Sequence, residues 1–226
     1  GKETDVGVWP MTVRLEDGRI LQGAVQAETF FTSNYFWFPD GESDAVQWPL
    51  PQKVSLNGIY KGQFLFSLDQ DWTPEGQDAF KAGDLVAFPV EEFLETRTLP
   101  KVSLVFRPTE AQAVNGVAIA KGAALLSVID NVVGKVLRLE PSADGWTTSP
   151  VTLPGAGAVS IAFADEQETA VFLNYEDFLT PASLLNYDIA TGEVTSLKSL
   201  PPKYNTDGLK VEQFFATSKD GTKVPY

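Results

Sequence analysis

Glycines and prolines punctuate short apolar or alternating runs along this chain instead of flanking long segments of helical period, and this limits its fold more than any other feature. Asp17-Gly18, Asp40-Gly41, Asp144-Gly145, Thr191-Gly192 and Asp220-Gly221 each separate runs of β-forming residues, as a tight hairpin requires. Eighteen glycines and 15 prolines punctuate the apolar segments. Nothing sustains an i, i+3, i+4, i+7 stripe; residues 109–113 and 78–81 are the only segments that suggest a helical turn. The pattern predicts an all-β chain.

A repeat organises these strands. Asn57-Gly58 is followed by Lys61-Gly62, Leu65, Ser67 and Asp69; Asn115-Gly116 is followed by Lys121-Gly122, Leu125, Ser127 and Asp130. A weaker third copy runs through residues 159–163 and 170–177. Periods of about 40–60 residues with four strand-like runs each are the mark of β-propeller blades, small sheets that bury their faces only against neighbours. The expectation is a partial β-propeller of about four four-stranded antiparallel blades at roughly 11–50, 53–107, 114–153 and 157–200, within a domain spanning 11–210. Residues 1–10 read as a tag remnant or linker, and 211–226 as a C-terminal hairpin. Residues 117–119 and 125–129 are expected in inner strands of one blade, where runs are nearly continuously apolar.

Composition excludes several functions. There is no cysteine and no histidine, so thiol catalysis, a Ser-His-Asp triad and a His-ligated zinc are ruled out for these 226 residues. A net charge of -13 argues against nucleic acid and anionic membrane surfaces as partners. No cofactor or metal is expected, since 69–74 lacks the spacing of a calcium loop. The best uncharged apolar stretch, 122–129, is far short of a membrane span, so the chain reads as soluble, with cytoplasm and periplasm equally open.

Several strings imitate catalytic motifs. Residues 41–45 (GESDA) approach the G-x-S-x-G elbow but lack its last glycine and a base. Gly155-x-Gly157-x-x-Ser160 precedes an apolar strand instead of a helix and reads as a turn between blades. The carboxylate pairs Asp69/Asp71, Glu91/Glu92 and Glu176/Asp177 read as solvated loop residues, which leaves a glycosidase with little support.

Further strings resemble the prolyl oligopeptidase family of serine peptidases. They are Phe178-Leu179-Thr180-Pro181, Asp188 with Thr191-Gly192-Glu193, Ser67 with Asp71-Trp72-Thr73, Asp130-Asn131-Val132, and above all residues 218–225 (SKDGTKVP). The resemblance covers most of 25–226. It implies the later part of a seven-bladed N-terminal propeller that caps a peptidase and admits only short peptides to a buried triad. The string at 218–225 then marks the passage into a C-terminal α/β-hydrolase domain, which this chain would lack. The implied function is a non-catalytic lid and substrate-size filter whose partners are the hydrolase domain and short peptides. A freestanding propeller that binds a peptide or glycan stays open as the alternative.

Asp71, Asp130 and Asp177 each follow the second strand of an expected blade. On that reading they share a face with Trp72, Asn131 and Phe178, and in the family this face looks toward the hydrolase domain. These six residues are the candidate substrate-steering or inter-domain surface. The bland reading is that the acids cap or bridge their own loops while the aromatics fold back on their blades. Terminal blades without neighbours are expected to drive association of copies.

Overall fold

A computed structural model describes residues 1–39 and 45–226. The turn at Asp40-Gly41 and the elbow-like string at 41–45 fall on or across the intervening residues, outside those described. Four consecutive antiparallel sheets account for nearly all the secondary structure, each built from strands adjacent in sequence. The first holds β1 (Gly7–Arg14), β2 (Ile20–Ala27), β3 (Ser33–Trp37) and β4 (Val46–Gln47). The second holds β5 (Val54–Tyr60), β6 (Gln63–Leu68), β7 (Leu85–Pro89) and β8 (Ser103–Phe106), with helix α1 (Val90–Thr96) between its last two strands. The third holds β9 (Gln112–Ala120), β10 (Ala123–Asp130), β11 (Val133–Ser142) and β12 (Gly145–Pro150). The fourth holds β13 (Ala158–Phe163), β14 (Ala170–Glu176), β15 (Ser183–Asp188) and β16 (Val194–Ser199). A two-stranded hairpin, β17 (Phe215–Thr217) with β18 (Lys223–Pro225), comes last.

The repeat seen in the sequence is a local device. Lys61-Gly62 and Lys121-Gly122 are the two-residue turns between first and second strands, Tyr60 pairing with Gln63 and Ala120 with Ala123. Asn57 and Asn115 sit where the register of the first strand slips by one residue, and each side chain reaches the serine opposite, Ser67 at 2.8 Å and Ser127 at 3.5 Å. The repeated Asn…Ser pair therefore fixes a β-bulge in the first strand of two successive sheets.

Burial differs from the expectation in one respect. Residues 125–128 of β10 are buried, but 117–119 of β9 are only half-buried. The fully apolar runs belong to second and third strands, because β9 lies at the edge of its sheet and β10 has a neighbour on each side. Helix α1 is a second departure. Residues 78–81 and 109–113 form no helix, whereas Pro89 precedes seven helical residues with Glu91 and Glu92 in the first turn. That placement suits a helix N-terminus and explains the Glu91/Glu92 pair without catalysis.

By its contacts the chain separates into two units, Gly1–Arg107 with Pro141–Thr147, and Pro108–Glu140 with Thr148–Tyr226. The first is centred on an aromatic cluster in which Trp48 lies 4.6 Å from Phe64 and 4.9 Å from Phe93 between ring centroids. The second buries Leu125, Val136, Val159, Val171, Leu173, Tyr175 and Leu185 against one another. No helix among the described residues is long and apolar enough to cross a membrane.

Candidate functional site

Each acid singled out in the sequence follows or ends a second strand, and each is held by residues of its own loop or of the strands beside it. In the first unit, Asp71 accepts Lys81 Nζ at 2.6 Å and the Ala82 N–H at 3.0 Å, and these donors lower its pKa from the ordinary carboxylate value. Trp72, beside it, pairs its backbone with Phe80 and turns its ring edge onto Phe66, with centroids 5.9 Å apart. Its half-buried ring packs back toward the sheet.

In the second unit, Asp130 accepts Lys135 Nζ at 2.7 Å, Gln112 Nε2 at 3.0 Å and Asn131 Nδ2 at 2.9 Å. Its pKa is lowered, chiefly by Lys135 and then Gln112. Asn131 and Val132 form the whole β10–β11 turn, at φ 46° and 73°. Asp177 is bonded by the Tyr175 hydroxyl at 2.5 Å and the N–H groups of Leu179 and Thr180 at 2.7 and 2.6 Å. Burial works to raise the Asp177 pKa, but the hydrogen bonds from Tyr175, Leu179 and Thr180 outweigh it and hold the carboxyl low. Burial, then the Asp177 carboxylate, push the Tyr175 hydroxyl up.

Lysines thus neutralise Asp71 and Asp130, while the donors to Asp177 among the described residues are neutral. Asp177 is the member of the trio whose charge stays uncompensated by these bonds. Its loop packs against the glycines at 155 and 157: a Cβ on Gly157 would stand 2.3 Å from the Glu176 carbonyl oxygen. The glycine string that imitates a dinucleotide loop exists for this close approach.

Phe178 is 80% exposed, unlike Trp72 and the buried Tyr175. The structure adds outward residues that sequence reasoning missed. In the first unit, Phe30 and Phe31 are 88% and 81% exposed in the loop after the second strand β2; in the second unit, Val132 is 69% exposed. The signal was present in each case: paired phenylalanines between Thr29 and Thr32, and a valine where an Asn-led turn ordinarily takes glycine.

Consecutive four-stranded antiparallel sheets, each contiguous in sequence, are the repeating unit of the β-propeller class. More narrowly, the prolyl oligopeptidase N-terminal β-propeller domain matches residues 11–200, and the chain belongs to that family. It is 33% identical to an "uncharacterized peptidase" of Sinorhizobium fredii, across the whole of this chain and 32% of that protein. An "uncharacterized peptidase" of Rickettsia prowazekii is 25% identical over 95% of this chain and 31% of its own length. Among solved structures, a post-proline cleaving enzyme from Rickettsia typhi superposes with a TM-score of 0.79 at 21% identity, covering 100% of this chain and 33% of that one. The chain spans about a third of the length of these relatives.

Proposed function

We propose that this chain is the non-catalytic propeller of a longer serine peptidase that cleaves short peptides after proline, and that it limits which peptides reach a catalytic centre elsewhere in that polypeptide. The family match carries the reading, taken with the absence of any histidine: a serine peptidase of this kind needs an imidazole base, so the triad has to lie outside these 226 residues. The loops after the second strands, with Asp71, Trp72, Asp130, Asn131, Asp177 and Phe178, face the catalytic part on this reading. Asp177 is the carboxylate best suited to draw in a cationic peptide N-terminus, since the lysines on Asp71 and Asp130 cancel those charges. The test compares this chain with the full-length polypeptide on a fluorogenic Gly-Pro substrate. Turnover is expected only from the full-length polypeptide, and a folded protein containing the same dipeptide should resist it. Turnover by this chain, or equal cleavage of both substrates, would overturn the proposal.

A further inference from the structure

The repeat places an Asn-Gly pair at the same point of two successive sheets, and the structure holds the two pairs differently. Asparagine is a thermally labile residue, and most so before glycine. The glycine nitrogen, with no Cβ on its own residue to hinder it, is positioned to close a five-membered ring on the asparagine side-chain carbon. Asn57 and Asn115 each stand at a β-bulge in an edge strand, where the ladder is locally disrupted. Sequence alone therefore gives both the same chemistry.

Their side chains are not equally free. Asn57 is half-buried, and its Nδ2 donates to Ser67 Oγ at 2.8 Å and to the Ser55 carbonyl at 3.2 Å. Ring closure has to rotate that amide and break both bonds. Asn115 is exposed, and its Nδ2 reaches Ser127 Oγ only at 3.5 Å, the weak end of hydrogen bonding. A Cβ on Gly116 would meet nothing within 4 Å, so the backbone that carries the attacking nitrogen has room to tilt.

We infer that Asn115 is a site of spontaneous covalent modification in the folded chain, passing through a cyclic imide to isoaspartate and aspartate, and that the fold shields Asn57 from the same reaction. The Gly116 nitrogen gives its proton to water and bonds to the Asn115 Cγ; the bond from Cγ to Nδ2 breaks, and the leaving nitrogen takes up a proton to depart as ammonia. Water then opens the imide. Attack at the former side-chain carbonyl restores the peptide and leaves aspartate, while attack at the main-chain carbonyl leaves isoaspartate, whose backbone is longer by one methylene. The balance is water in and ammonia out, with no change of oxidation state. Either product adds a negative charge to β9 and removes the donor from Ser127, which is 2% exposed. The lengthened backbone of isoaspartate also alters the bulge that the Asn…Ser pair fixes.

Peptide mapping by mass spectrometry tests this on the native chain held at mildly alkaline pH and sampled over days. The peptide carrying residue 115 should exchange its amide for an acid at least about tenfold faster than the peptide carrying residue 57, because Asn57 has two hydrogen bonds to give up first. In the urea-unfolded chain the two rates should converge. Ser67→Ala removes the hydroxyl that holds Asn57 and should speed the reaction at 57 alone, and Gly116→Ala, which enters open space, should suppress it at 115 without unfolding the sheet. Equal native rates, a faster Asn57 or an unreacted Asn115 overturn the proposal. A difference that persists in urea assigns it to local sequence and overturns the shielding equally.

Discussion

Asp84 is wholly buried and accepts two hydrogen bonds from Arg107, at 2.8 and 2.6 Å, and the Lys81 N–H at 2.7 Å. Arg107 is itself half exposed, so the two partners are not equivalent. Arg107→Met strands a buried carboxylate and should cost about 3–5 kcal/mol. Asp84→Asn leaves a solvated cation and a neutral acceptor, and should cost about 1–3 kcal/mol. Urea unfolding of both variants decides the matter; equal losses would mean the carboxylate is hydrated and the asymmetry false. Asp177 gives a pH-dependent counterpart. Its folded pKa lies below the unfolded value, so its contribution is complete above about pH 4 and is lost as pH falls through the folded value. Tyr175, raised in the fold, loses its contribution only as pH rises above about 10. The stability difference between wild type and Asp177→Asn should therefore be flat from about pH 5 to 9 and shrink below about 4. A difference that persists at low pH would show that side-chain shape, not charge, holds the loop.

Between strands, backbone approach decides which glycines are needed. A methyl group on Gly157 would meet the Glu176 carbonyl at 2.3 Å and the Asp177 Cβ at 2.8 Å, so Gly157→Ala must move one loop off the other and should cost about 1–3 kcal/mol. Gly116→Ala meets nothing within 4 Å and should stay within about 0.5 kcal/mol of wild type. Thermal melts of the pair test the packing argument, which fails if the two alanines behave alike. The turn glycines were legible because their role is local: Gly18, Gly192 and Gly221 take positive φ where Asp-Gly or Thr-Gly joins two strands. Gly157 was not, since the oxygen it must avoid lies 19 positions away. Helix α1 escaped notice because seven residues are too few for a period to show, leaving only Pro89 and the two acids as signals. The packing of Trp72 was not legible, because its backbone bridge to Phe80 and its ring contact with Phe66 are set by pairing, not by neighbouring residue types.

At the scale of the whole chain, the fourth sheet is unevenly covered. Val159, Val171, Leu173, Tyr175 and Leu185 belong to the buried core of the second unit. Cross-strand pairing places Phe163, Phe172, Leu184 and Asn174 on the opposite face, with Phe163 49% exposed and its ring 5.8 Å from that of Phe172. That face also lines a hollow with Ser160 and Lys198 at its margin, and holds Asn186, whose buried Oδ1 lacks a hydrogen-bond partner among the described residues. A sheet of alternating pattern with aromatic residues on its open side is built to be covered, as propeller sheets are by their neighbours. In the 24.6 kDa chain on its own, we expect a second copy to supply that cover. Light scattering after size exclusion at micromolar concentration should give a mass above the monomer, and Phe163→Lys, which sets a charge on the open face, should return it to the monomer. A wild-type chain that runs as a clean monomer and binds little hydrophobic dye would show that the face is already satisfied.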